Sequence, residues 1–369
     1  MTTTKSTYVS ESPGKTLARL RLWLSAMKLG IAMRQEWKGA LVLAGHGGDL
    51  GVLEAVDIMG STDKGKAHKS ILPTVSAVDL DTDCVWLCKG LYPQANVAHA
   101  DINDACKAVE YNFAHLDFCN GLTAENIQTA ANVATNASGA ARFIGVTIMK
   151  GREHKRRATH IRSLATRAER RRRLRSLRKE QGSLGSQLLC GNAFDPALAI
   201  SRATEHLRKA TGVHGALEKR GRLTNLGHGL ARAHAFSANL SSLLLPSKLD
   251  AVVVTTFCYH SRSRSSGGTP FVTFLLAIVP RGYTRYTLAQ AWANNISVHH
   301  AMSVKLSEEA LKPTVLECAK RMSTTACARI FNINPKTIAA WRAHATRGTY
   351  TYDPKKDSIL SFKGCGHEV

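Results

Sequence analysis

No apolar run in this 369-residue chain is long enough for a membrane helix, which needs roughly 18 or more consecutive apolar residues; the longest stretch, Phe271 to Val279, is strand-sized. The opening MTTTKSTYVSESPGK is polar and lacks the apolar core of a signal peptide. A cysteine framework is also missing: the nine cysteines, an odd number, fall at no framework spacing, which fits free thiols in a reducing, cytoplasmic setting. Cys84 and Cys88 are one helical turn apart, but no second pair or histidine cluster lies near, which argues against zinc. Acid is scarce, with 27 Asp and Glu against 50 Lys and Arg and a net charge of +23. Such a balance points to a polyanionic partner. With no amphipathic anchor carrying clustered aromatics, nucleic acid leads and a membrane surface is not expected.

What is present begins at ALVLAGHGGD, Ala40 to Asp49, an apolar run ending in a glycine-rich turn. VSAVDLD (Val75 to Asp81), ANVAHADI (Ala95 to Ile102) and FAHLDFCNGL (Phe113 to Leu122) follow, each an apolar or β-branched run that stops at an aspartate. A parallel α/β sheet sets such strand ends side by side on one rim, where ligands bind. Strands are expected at 40–44, 75–80, 95–100, 114–118 and 142–149. Helices are expected between them at 50–59, 82–91, 104–111 and 124–136. Asp81 reads as the N-cap of the second of these helices. Ahead of them, Leu17 to Trp37 reads as a helix that packs on the sheet. The alternation makes the fold class α/β, a doubly wound, mostly parallel sheet.

Composition shifts after the fifth strand. Residues 150–235 hold 21 Lys or Arg against 6 Asp or Glu, densest at TRAERRRRLRSLRK, Thr166 to Lys179. Arg170, Arg171, Arg172, Arg173 and Arg175 are the candidate phosphate contacts there. A helix is expected at Pro196 to Thr211, capped by Asp195. DAVVVTTFCYH (Asp250 to His260) and TPFVTFLLAIV (Thr269 to Val279) flank the turn-rich SRSRSSGG and read as an antiparallel hairpin, with Arg262 and Arg264 at a basic tip. They bring the sheet to seven strands. Residues 285–320 look helical. Thr324 to His344 has the spacing of a helix-turn-helix: Asn332 suits a left-handed turn, Pro335 starts the second helix, and Lys336 and Arg342 point outward toward a groove. This segment resembles the helix-turn-helix of homeodomain-like and recombinase-type proteins, and any small helical hairpin would read the same way. The organisation expected is an N-terminal helical segment (1–37), a main domain (38–283) with the basic insertion, a helical region (284–350) and a polar tail (351–369).

Four motifs, in order and spacing, resemble those of the class I S-adenosylmethionine-dependent methyltransferases. GHGGD (Gly45 to Asp49) is similar to the family's glycine-rich first loop, which implies that Gly45, His46 and Gly47 lie along the cofactor's methionine part. AVDLDTD resembles the second motif, implying that Asp79 accepts hydrogen bonds from the ribose hydroxyls. HADI resembles the third, implying that Asp101 and Ile102 lie near the adenine. LDFCNG resembles the fourth, placing Asp117 beside the transferred methyl group. Asp49 stands where the family usually has another glycine, and a carboxylate there would oppose the cofactor's own carboxylate. The same loop also loosely fits a dinucleotide fingerprint; the final hairpin and basic insertion suit a methyltransferase better.

Two chemistries are open at the fourth motif. Amino-methylating enzymes of the family set a polar group against the acceptor amine and an aromatic ring against a flipped base. Asp117 and Phe118 match those roles, without the prolines that usually follow. Attack by the Cys119 thiolate is the other route, with a small buried cysteine as the plain reading. The string Glu125-Asn126-Ile127 resembles a further motif of the cysteine-dependent enzymes but lies too early in the chain. The resulting expectation is an S-adenosylmethionine-dependent methyltransferase acting on nucleic acid, DNA ahead of RNA. Alternatives are a non-catalytic nucleic-acid-binding protein on a degenerate scaffold, or a methyltransferase for a protein or small molecule.

Overall fold

The computed structural model describes residues 13–60, 70–118, 120–150, 194–210, 218–219, 222–263, 266–282, 301–303, 308–331 and 333–346. Five parallel strands form its centre: β1 (Ala40–Leu43), β2 (Val75–Asp79), β3 (Asn96–His99), β4 (Phe113–Asp117) and β5 (Arg142–Met149). The long hairpin β8 (Leu249–Ser263) and β9 (Ser266–Pro280) extends the sheet, and β10 (Ala301–Ser303) closes its edge. A two-stranded piece, β6 (Glu218–Lys219) with β7 (Arg222–Leu223), stands apart. The large sheet runs β10-β8-β9-β5-β4-β1-β2-β3. β9 is antiparallel to both β5 and β8, so β8 runs with the parallel set. The seven expected strands are present, and β10 adds an eighth inside the segment 285–320 expected to be helical. It pairs parallel with Thr256 to Cys258, taking up backbone groups that the edge of β8 would otherwise leave open.

Helices cover both faces. On one lie α1 (Pro13–Ala32), α2 (Gly48–Gly60), α3 (Thr82–Leu91) and the C-terminal set α8 (Glu308–Cys318), α9 (Thr324–Phe331) and α10 (Pro335–Thr346). On the other lie α4 (Ile102–Ala108), α5 (Ala124–Asn136), α6 (Pro196–Ala210) and α7 (Asn225–Leu243). Alternate residues of the central strands feed the two cores: Ala40 and Val42 join the first, Leu41 the second; Phe143 the first, Ile144 and Val146 the second. Strands buried on both faces read as nearly continuous apolar runs, which is why the central ones stood out in the sequence.

Local chemistry sets the helix ends. Asp81 caps α3 by accepting from Asp83 N–H, and Asp101 caps α4 by accepting from Asn103 N–H. Asp195 accepts from Ala197 N–H at 3.0 Å, one residue before Pro196 starts α6. α1 begins and ends earlier than its apolar pattern suggests. Arg34, at φ 53°, closes it: Gln35 N–H reaches Gly30 O and Arg34 N–H reaches Ile31 O, a Schellman stop. Trp37 therefore lies beyond the helix, stacked on Phe113 with ring centroids 4.7 Å apart. The turn expected at SRSRSSGG is also shorter, because β8 and β9 run on into it.

Candidate functional site

The sheet order changes direction at β1, which has β2 on one side and β4 on the other. A doubly wound sheet opens a crevice at such a switch, beyond the carboxyl ends of its strands. The glycine loop occupies that position. Gly45 (φ 46°) and Gly47 (φ 79°) take left-handed conformations, turning the chain from β1 into α2 within a few residues. Space around the two differs. A side-chain carbon on Gly45 would meet nothing within 4 Å, whereas on Gly47 it would lie 2.8 Å from Tyr92 Cε2. Gly45 therefore leaves open backbone on the rim, and Gly47 packs against an aromatic ring beneath it.

Asp79, at the end of β2, grips this loop. Its Oδ2 accepts from Gly45 N–H at 2.9 Å and its Oδ1 from Asp81 N–H at 2.9 Å. The carboxylate is part exposed. Each of its oxygens has accepting capacity beyond one bond. Asp101 accepts from both Asn103 N–H (2.7 Å) and Asn103 Nδ2 (2.9 Å) through Oδ1, so neither bond occupies Oδ2. Ile102 beside it is buried, and His46 is exposed on the loop. Cys88 lies under the turn, its sulfur 3.6 Å from Gly45 O. Burial and the nearby Asp79 push the Cys88 thiol up to about 11, which keeps it protonated at neutral pH.

Asp49 does not face the loop's open side. It is 1% exposed, turned into the core, and accepts from Trp23 Nε1 (2.8 Å) and His115 Nδ1 (2.8 Å). Carboxylates only accept, so Nδ1 is the donor in the second bond. Arg19 Nε stands 3.4 Å from Asp49 Oδ2. Burial pushes the Asp49 carboxyl up, but His115 and the Arg19 guanidinium more than offset it and hold it below its ordinary value. The expected clash with a cofactor carboxylate is thereby corrected: Asp49 is an internal, compensated charge in the first turn of α2. From His115 the polar chain continues through Nε2 to Thr147 Oγ1 (3.0 Å) and on to Thr273 Oγ1 (2.6 Å).

Asp117 closes the end of β4 in the same system. Its Oδ2 lies 2.6 Å from Arg19 Nη2 and 2.8 Å from Lys15 Nζ. Burial favours the neutral acid here, yet Lys15 and Arg19, with His115 adding to them, hold this carboxyl well below the usual carboxylate range. Its partners here are thus two cations from α1, Lys15 and Arg19. Phe118 is part buried and packs on the α5–α7 core, so its ring is not fully free to stack on a base. Cys119 lies outside the described residues. Asn126 is a latch: its Nδ2 donates to Asn120 Oδ1 and to Gly121 O, tying down the turn after β4.

Lys15, Arg19 and Trp23, four residues apart on α1, were not singled out in the sequence, nor was His115. One signal was available. A basic, basic, aromatic stripe at helical spacing inside an apolar helix, and a histidine amid an apolar strand, are polar groups that need partners. The basic candidates divide in the same way. Arg170, Arg171, Arg172, Arg173, Arg175 and Arg264 lie outside the described residues, as does Asn332. Arg262 lies in β8. Lys336 and Arg342 are exposed on α10, with Arg342 Nη1 leaning back to Thr324 Oγ1 at 3.2 Å.

No sequence-family model matches the chain, and no curated protein matches it. Among solved structures it is similar to Trm1 from Pyrococcus horikoshii in complex with S-adenosyl-L-methionine, at 10% identity and a TM-score of 0.37, covering 88% of this chain and 83% of that one. It is also similar to the plantazolicin methyltransferase BpumL in complex with SAH, at 10% identity and a TM-score of 0.33, covering 72% and 84%. A third is StiE O-MT, residues 942-1257, at 11% identity and a TM-score of 0.26, covering 74% and 80%. The strand order itself identifies the architecture. Five parallel strands in the order β3-β2-β1-β4-β5, with a terminal hairpin folded back so that antiparallel β9 inserts between β5 and β8, make this a doubly wound, Rossmann-like sheet.

Proposed function

We propose that this protein is an S-adenosylmethionine-dependent methyltransferase whose substrate is nucleic acid, DNA ahead of RNA. The observation that carries the cofactor reading is the Gly45–Asp79 pair at the switch point: a part-exposed carboxylate fixed at 2.9 Å to a loop whose Gly45 opens onto free space. Gly45, His46 and Gly47 would hold the methionine part, Asp79 the ribose hydroxyls, and Asp101 with Ile102 the adenine edge. When bound, the cofactor supplies an electrophilic methyl group. The chain's contribution is positioning and water exclusion rather than a strong base. Asp117, ionised and held by Lys15 and Arg19, ties α1 to the carboxyl end of β4, the rim at which the acceptor would be placed.

The substrate reading rests on charge. The chain carries +23 overall, and residues 150–235, inserted between the β5 rim and the terminal hairpin, hold 21 Lys or Arg against 6 Asp or Glu. Lys336 and Arg342 add exposed positive charge on α10. Contacts of this kind give affinity for phosphate without reading sequence.

Calorimetric titration with S-adenosylmethionine tests the first part: saturable binding that weakens on Asp79→Ala is expected, and no heat at millimolar cofactor would sink it. Transfer of a labelled methyl group to DNA, RNA and protein in parallel then tests the substrate. Transfer to protein alone would favour a protein methyltransferase, and transfer to none of the three a non-catalytic nucleic-acid-binding protein on this scaffold.

A further inference from the structure

The C-terminal helices reach the glycine loop through one aromatic ring. Arg329 of α9 lies over Tyr92 with its guanidinium carbon 5.0 Å from the ring centroid. Its Nη2 contacts Glu54 Oε2 at 2.7 Å and its Nη1 donates to Leu91 O at 3.3 Å, so the fork is fixed to α2 and to the end of α3 together. Tyr92 follows α3 and is buried. It also fills the space where two glycines lack side chains: a carbon on Gly47 would lie 2.8 Å from its Cε2, and one on Gly51 2.7 Å from its hydroxyl oxygen. The Gly51 position is bounded by α9 as well, 3.5 Å from Ile330 Cα. The glycine loop, the first turn of α2 and α9 therefore share one ring as a common wall.

We infer that Arg329 and Tyr92 are positioning residues for the glycine loop, so that docking of the C-terminal helices sets the loop conformation that receives the cofactor. The geometry explains why the contact is specific. Asp79 and Cys88 restrain Gly45 from the β2 and α3 side, but Gly47, at φ 79°, is backed by Tyr92. A planar guanidinium over an aromatic face adds cation–π attraction to simple packing. Lysine, a point charge, would keep the pairing with Glu54 and lose the flat contact. Where it concerns cofactor, this inference rests on the function proposed above; where it concerns the loop, it does not.

Arg321 supplies the control. It anchors the same helical unit to α2, its Nη1 donating to Ile58 O at 3.0 Å, but that contact lies at the far end of α2 from the loop. Hydrogen exchange on the whole protein is the first readout. Arg329→Ala should speed exchange of the amides from Gly45 to Gly51 by about tenfold, Arg329→Lys by less, and Arg321→Ala should leave them unchanged even where it lowers thermal stability as much. The second readout is S-adenosylmethionine affinity, expected to weaken about tenfold in Arg329→Ala and to stay within about twofold in Arg321→Ala. Equal loop protection in Arg329→Ala and the wild type, or equal loss in both alanine variants, would overturn the inference. A wild type that binds no cofactor would defeat the proposed function and leave the exchange result to judge this one.

Discussion

Arg19 and Asp117, 98 residues apart, meet at 2.6 Å in the interior, with side chains 7% and 8% exposed. The contact ties α1 to the carboxyl end of β4, and Arg19 also stands 3.4 Å from Asp49 in α2. One guanidinium thus serves two buried carboxylates on different elements, and Lys15 adds a second cation to Asp117. The rim of the sheet is held by charge as well as by packing.

Breaking this arrangement from the cationic side should be costly. Arg19→Met leaves two buried carboxylates short of their shared cation, and removing one partner of a buried pair typically costs about 3–5 kcal/mol. Lys15→Met should cost less, because Lys15 is 21% exposed and Asp117 keeps Arg19. The double variant Arg19→Met/Asp117→Leu should recover part of the loss, since an apolar pair carries no desolvation penalty. Urea unfolding of the wild type, Arg19→Met, Asp117→Leu and the double variant, with Lys15→Met alongside, would show it. A double variant as unstable as the sum of the singles would mean that the two residues do not interact.

The same carboxyls govern acid stability. Asp49 and Asp117 both sit below their ordinary value of 3.8 in the folded protein. An unfolded chain therefore binds their protons first as pH falls, so their stabilisation is complete above 3.8 and is lost progressively below it. Asp117→Asn removes one of these titrations. Urea midpoints taken from about pH 5 down to about pH 2.5 should fall less steeply in that variant than in the wild type. Parallel slopes would show that Asp117 is not depressed.

The two loop glycines separate conformational strain from crowding. Both have positive φ, but only Gly47 faces an atom, Tyr92 Cε2, at 2.8 Å from a would-be side-chain carbon. Gly45→Ala should cost about 1 kcal/mol from the left-handed backbone alone. Gly47→Ala adds overpacking against Tyr92, for about 2–4 kcal/mol in all. Chemical denaturation gives both values, and equal losses would remove the crowding argument.

Most of the fold was legible because central strands buried on both faces are apolar throughout and end at turn chemistry. The strands ending at Asp79 and Asp117, and the capping aspartates Asp81 and Asp195, follow from local sequence. The polar interior did not. Asp49 reads as a loop residue until its distant partners Trp23 and His115 are known, and Arg19 reads as helix surface until the helix proves to be buried on nearly every side. Tyr92 stands before Pro93, a pair that marks a helix stop, and nothing in that local pattern points to its contact with Arg329. Long-range pairs of this kind have no periodicity to reveal them. β10 was missed for a related reason: three residues pair with an edge some 45 positions earlier in the chain.

The end of α1 offers a test of local strain. Arg34 holds φ 53° at the position where a Schellman stop usually has glycine. The conformation costs a residue with a side chain about 1 kcal/mol, whereas glycine adopts it freely. Glycine also loses more backbone entropy on folding, which returns part of the gain. Arg34→Gly should therefore raise stability by about 0.5 kcal/mol while the stop itself, Gln35 N–H to Gly30 O at 2.8 Å, is kept. Arg34→Ala keeps the unfavourable φ and serves as the control for loss of the side chain. A stability gain shared equally by both variants would place the effect in the arginine side chain rather than in the backbone.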